Sequence, residues 1–194
     1  TNDSFSKVKL LFSVSFAHPT VMMQKKLIKK HNLKYNKKYG IEDYKFWLDA
    51  AKFTKFASIP KVLLKYRHLE TSYSKEQERN NKKIYLEYKR VLSDLLDRLN
   101  IKNTEKENKL HFIVGRNTRI AKEDIDLKSL NLYLNKFIDA NKSKKVFNER
   151  SLKWFLAKKF LIVVYFKIKK KDFSVFSAIF YKFFWFAPLI LINN

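Results

Sequence analysis

The sequence contains no cysteine, only two glycines (Gly40 and Gly115) and three prolines. Without cysteine, a disulfide framework and a thiolate metal site are excluded. Two isolated glycines cannot supply a G-x-G-x-x-G or G-K-[ST] phosphate loop. Negative charge is scarce too: 18 Asp and Glu stand against 42 Lys and Arg, a net charge of +24. A balance that basic points to an anionic partner: a phosphorylated substrate, a phospholipid surface or nucleic acid. The lysines are scattered, arginines are few and no nucleic-acid-binding motif occurs, so no specific nucleic-acid partner is expected. At 46% hydrophobic, the 194 residues are enough to bury a core. The chain starts at Thr1 without a basic-then-apolar leader, and is expected to be a piece of a longer protein or a truncated reading frame.

Along the chain, residues 9–23, "KLLFSVSFAHPTVMM", are β-tolerant and read as one or two short strands interrupted at Pro19. "QKKLIKKHN" fits a short helix that exposes lysines and covers Leu27 and Ile28. A polar loop, "NLKYNKKYG", leads to Gly40. From Glu42, the positions Phe46, Trp47, Ala50 and Ala51 recur at helical spacing to about Thr54. "FASIPKVLLKYR" alternates and carries a proline, as an edge or final strand does. Ser74 with Gln77 fits a capping box. Ile84, Tyr88, Val91, Leu92, Leu95 and Leu99 extend a stripe from it. "NIKNTEKENK" reads as a polar linker. Two helices are expected within residues 110–150, one near 126–140.

The last 44 residues change character. "SLKWFLAKKFLIVVYFKIKKK" is aromatic with interleaved lysines. Residues 173–192 hold a single charge, Lys182, and are long enough to span a hydrocarbon core of about 30 Å as a helix. With Pro188 inside it, the segment fits equally well an in-plane helix with lysines on headgroups and aromatics at the interface. Membrane association is expected either way.

Three stretches have residue types suited to chemistry. Glu42 and Asp43 open a helix, where unpaired N–H groups and the helix dipole favour carboxylates. They serve there either as a helix cap or as a general base that takes a proton from a hydroxyl. His18 precedes Pro19, a structural position or a ligand position. Arg67 and His68 follow a strand-like run. They form either a surface loop or a diphosphate contact, for which a guanidinium fork is suited. Asp124 and Asp126 make a D-x-D, a spacing that can hold Mg²⁺ or Mn²⁺ but arises readily by chance.

Taken together, "AHPTVMMQKKLI", "YGIEDYKFWLDAAK" and "FASIPKVLLKYRHLETSYS" resemble the second half of the catalytic domain of family 2 glycosyltransferases, which have the GT-A fold. That family shows His-Pro-Thr/Ser-Val-Met, then Glu-Asp-Tyr-x-x-Trp, then Ile-Pro-x-x-Leu-x-x-Tyr-Arg, at about these spacings. The matching residues here are His18 to Met22, then Glu42, Asp43, Tyr44 and Trp47, then Ile59, Pro60, Leu63, Tyr66 and Arg67. The match covers about residues 12–75.

The resemblance implies an α/β fold: a partial GT-A, Rossmann-like nucleotide-diphospho-sugar transferase domain followed by a mostly α-helical extension. It implies inverting transfer of a sugar from a nucleotide-diphospho-sugar to a glycan or lipid-linked acceptor, with the nucleotide-binding half lacking from this chain, so that these residues alone are expected to be inactive. Asp43 is then the catalytic base and Glu42 its neighbour. His18, Trp47, Arg67 and His68 are substrate-binding, Trp47 beneath the acceptor and Arg67 with His68 facing the leaving diphosphate. A divalent cation, Mg or Mn, is implied with ligands mostly outside this chain. Gln24 stands where members often carry Arg, Leu69 where they carry His, and no D-x-D precedes Glu42.

The expected organisation is an acceptor-side half-domain over 1–75, a helical extension over 76–150 and a basic, aromatic membrane-associating tail over 151–194. The expected location is the inner face of the cell membrane, in the cytoplasm, peripheral or anchored. The competing expectation is a non-enzymatic basic protein on a membrane surface or nucleic acid, or an inactive remnant.

Overall fold

The expected α/β sheet is absent. The computed structural model describes residues 3–67, 69, 71 and 81–186, and among them there is helix but no strand. The partial GT-A fold is therefore corrected to an all-helical one. The chain forms two compact units, Thr1–Leu95 and Leu96–Asn194.

The first unit starts with α1, Asp3–Lys9. Helical turns carry it on, with the Leu10 and Phe12 amides donating to the Ser6 and Lys9 carbonyls. This is where a strand was expected. Leu10, Leu11 and Phe12 are all fully buried, a consecutive set. A strand turns alternate side chains to opposite faces, so a wrapped turn covers this run better. The two other helices before residue 68 are α2, Lys25–Lys30, and α3, Glu42–Ala50. α4, Asn81–Arg98, begins in this unit. α3 buries Tyr44, Phe46, Trp47, Leu48 and Ala50. Two buried tyrosines pin the turn after α1: Tyr44 donates to the Leu10 carbonyl at 2.6 Å, and Tyr88 of α4 donates to the Phe12 carbonyl. Each gives a buried carbonyl a partner, whose loss costs about 1–3 kcal/mol.

The second strand correction concerns residues 56–67. Their backbone is irregular, and Val62 is 93% exposed. β-branched residues become a strand only where a neighbouring strand takes up their N–H and C=O groups. None is offered among the described residues. The capping box at Ser74 lies outside the described residues. The stripe it was to start is present on α4, with Ile84, Tyr88, Val91, Leu92 and Leu95 buried.

In the second unit, the expected linker over 100–109 contains the start of α5, Glu105–Val114. Thr104 and Glu107 form a complete capping box, each side chain bonded to the other's backbone N–H. α6, Asn117–Ile120, is a single turn. α7, Leu127–Lys144, and α8, Glu149–Lys169, are joined by a short turn in which Lys145 is left-handed, with φ 49°. The buried Asn141 side chain closes that turn by bonding both the N–H and the carbonyl of Phe147. Leu130, Leu134 and Phe137 of α7 and Leu156 and Phe160 of α8 are fully buried.

α8 stops at Lys169. Lys171 takes a positive φ of 54°, and Asp172 caps the next segment by accepting from the Ser174 amide. Residues Phe173–Phe180 form a 3₁₀ helix and Lys182–Trp185 a short α9. The single long helix expected over 173–192 is thus not formed across the described part of that range. Among the described residues, no helix is long and apolar enough to cross a membrane.

The stop is locked by Lys167. Its buried ammonium donates to Asp172 at 2.5 Å, Asp124 at 2.9 Å and Ser174 at 3.2 Å. The bond from Lys167, then those from the Ser174 hydroxyl and amide, hold the Asp172 carboxyl down to about 2 from an ordinary 3.8. A depressed carboxyl stabilises the fold above its unfolded pKa. That stability is lost as pH falls through the folded value. Urea midpoints measured from pH 5 towards pH 2 should fall in the window between 3.8 and about 2. Asp172→Asn should remove that part of the fall, and an identical acid profile in both proteins would contradict the lock.

Candidate functional site

The amino end of α3 gathers residues far apart in sequence. Ile41 occupies the cap position without a side-chain bond, and Asp43 accepts from the Tyr44 amide at 2.7 Å. Both carboxylates therefore sit in the first turn itself, Glu42 exposed and Asp43 half-buried. Just before them, the Gly40 amide donates to Glu87 of α4 at 2.8 Å. A Cβ at Gly40 would come within 3.2 Å of the Glu87 side chain, so the absence of a side chain lets the loop approach α4.

His18 heads a 3₁₀ turn, His18–Thr20, with Pro19 setting its start. Its ring lies 5.9 Å from Trp47 and 5.3 Å from Tyr35, edge-on to the latter. His18 Nε2 and the Tyr35 hydroxyl are 3.3 Å apart. The Tyr35 ring stacks on Phe46 of α3 at 4.5 Å. Burial, then the negative charges of Asp43 and Glu42, raise the Tyr35 hydroxyl above its ordinary pKa. The phenol therefore stays protonated at neutral pH and is available as a donor beside both carboxylates. Trp47 is buried under this group, edge-on to Phe16 and Phe46. Its Nε1 has no hydrogen-bond partner among the described residues.

Tyr35 and Phe46 also line an open cavity of about 540 Å³. Its walls include Tyr39, Phe53, Asn32, Asn36 and Asp49, with His31 stacked on Phe53 at 4.1 Å. Lys34, Lys37, Lys45 and Lys52 complete the wall, and the Asp49 carboxylate is bonded to Lys45 and Lys52, so the lining is aromatic and basic with amides between. Lys45 bridges Asp49 and Asp94 at 2.8 and 2.9 Å. Burial alone would lower this lysine's pKa, but those bonds outweigh it and raise it.

Of the residues singled out in the sequence, His18 is in ring contact with Trp47, and Glu42 and Asp43 stand in the first turn of the same helix as Trp47; none of the four lines the cavity. Arg67 is exposed, and no contact among the described residues joins it to them. His68 lies outside the described residues. Tyr35 was missed, because a tyrosine in a lysine-rich loop carries no pattern of its own.

The divalent cation that the resemblance implies has its ligands mostly outside this chain. Among the described residues, no three of His, Asp and Glu converge on one point. Asp124 is bonded to Lys167, while Asp126 caps α7 through the Ser129 amide at 2.7 Å. No protein-family model, curated protein or solved structure matches the chain.

Proposed function

We propose that the first unit carries the acceptor-side, proton-abstracting end of an inverting glycosyl-transfer site, on a helical scaffold. What supports the reading is the contact of His18 with Tyr35 and Trp47, the charge of Asp43 and Glu42 acting on Tyr35, and the open cavity that Tyr35 and Phe46 line. The three sequence motifs that resemble family 2 glycosyltransferases contribute the assignment of roles.

In this mechanism the acceptor glycan, lipid-linked or polysaccharide, lies against the Tyr35 and Phe46 wall with Trp47 beneath. Asp43 takes the proton from the acceptor hydroxyl as its oxygen attacks the anomeric carbon of a nucleotide-diphospho-sugar. The new C–O bond forms as the bond to the diphosphate breaks, and the diphosphate leaves with that electron pair. Attack opposite the leaving group inverts the anomeric centre. Glu42 orients the acceptor, and Tyr35, held protonated, donates to it or to His18. Arg67 and His68 are assigned to the leaving diphosphate on the resemblance alone. The reaction is placed at the inner face of the cell membrane.

The test uses membranes of cells expressing the natural gene at its full length, supplied with labelled nucleotide-diphospho-sugars. Label should enter a lipid or glycan fraction with the anomeric configuration opposite to the donor's. No incorporation above cells lacking the protein, or retained configuration, would overturn the reading.

A further inference from the structure

The 3₁₀ segment Phe173–Phe180 has two different sides. In a 3₁₀ helix, residues three apart eclipse one another. One row, Val175, Ala178 and Tyr181, is half-buried to buried and meets α8, with Tyr181 5.9 Å from Phe160. Phe183 adds a second anchor on Phe160 and is fully buried. The opposite row, Phe173, Phe176 and Ile179, faces out. Phe173 and the adjoining Phe180 are 81% and 82% exposed, and Trp185 projects beside them. Exposed aromatics grouped in this way mark an interaction surface.

The charges along this stretch are mostly basic, with Glu123 and Asp124 beside Lys170 and Lys167 and Asp139 within reach of Lys182. Lys169, Lys170 and Lys171 are exposed at the end of α8, and Lys182 opens α9. Asp172, the one acid between residues 165 and 186, is paired with Lys167. A second copy of this chain would bring the same lysines against these, so self-association is disfavoured. Aromatic side chains ringed by lysines instead match the interface of an anionic bilayer, with rings at headgroup depth and ammonium groups on lipid phosphates.

We infer that Phe173, Phe176, Ile179, Phe180 and Trp185, rimmed by Lys169, Lys170, Lys171 and Lys182, form a docking surface for an anionic lipid bilayer. The segment lies on the membrane without crossing it. Its inward row ties the membrane contact rigidly to α8. The inference is independent of the transfer reading, because lipid binding is measured without any sugar.

The test is flotation of the full chain with vesicles of phosphatidylcholine alone, and with vesicles of phosphatidylcholine mixed with phosphatidylglycerol. The chain should float with the mixed vesicles and bind the neutral ones at least about tenfold more weakly. Phe173→Ser, Phe176→Ser and Phe180→Ser combined should lower partition onto mixed vesicles by at least about tenfold with the helical circular dichroism unchanged. Lys169→Gln with Lys171→Gln should narrow the difference between the two vesicle types. Equal binding by the triple variant and the parent chain would overturn the proposal. So would failure of the parent chain to bind mixed vesicles, or retention by nucleic acid in place of vesicles.

Discussion

Phe160→Ala is expected to destabilise the second unit by about 3–5 kcal/mol, the usual cost of emptying a fully buried aromatic site. Phe160 is completely buried on α8 and supports Tyr181 at 5.9 Å and Phe183 at 6.1 Å. These two rings anchor the segment after α8, so the cavity would also loosen the outward aromatic row. Relaxation around the hole is limited, because α8 is held at its far end by Lys167. Phe176→Ala, on the exposed row, should shift stability by no more than about 0.5 kcal/mol. Urea unfolding followed by helical circular dichroism measures both. A Phe160→Ala loss below about 1 kcal/mol would contradict the packing described.

Asp43→Asn is expected to lower sugar transfer by about 10²- to 10⁴-fold, the usual contribution of a positioned general base. That corresponds to about 3–5 kcal/mol of barrier. The amide keeps the size of the side chain, and its oxygen can still accept from the Tyr44 amide, as Asp43 does at 2.7 Å. The first turn of α3 should therefore survive, and the lost quantity is basicity. Glu42→Gln should cost roughly tenfold or less, since Glu42 is exposed and orients the acceptor without taking its proton. Initial rates at saturating donor separate these outcomes. Equal losses from the two substitutions would place the base at Glu42 or make the pair act as one.

Helices were legible in the sequence where an apolar stripe was long. The stripe from Ile84 to Leu99 and the Phe46, Trp47 and Ala50 set both occur as read. The strands were not, because an apolar run such as residues 9–12 suits a buried turn as well as a strand, and only partners decide between them. Thr104 and Glu107 carried a capping signal that the surrounding polar residues obscured. In the tail, the break at Lys171 and Asp172 depends on ion pairing with Lys167 and Asp124, a contact no local pattern displays. Of the motif residues, His18 and Trp47 meet in the fold and Glu42 and Asp43 open α3, as the helical spacing from Glu42 suggested. Tyr35 required the fold, since its 17-residue separation from His18 follows no periodicity.

The account turns on which carboxylate reacts. The most direct measurement compares initial transfer rates of the parent protein, Asp43→Asn and Asp124→Asn in the same membranes. Asp124 belongs to the D-x-D pair but is itself exposed and bonded to the buried Lys167, which keeps its bond to Asp172 when Asp124 is changed. The predicted result is transfer lost with Asp43→Asn and close to the parent rate with Asp124→Asn. Transfer retained by Asp43→Asn, or lost only with Asp124→Asn, would contradict the placement of the reaction at the start of α3.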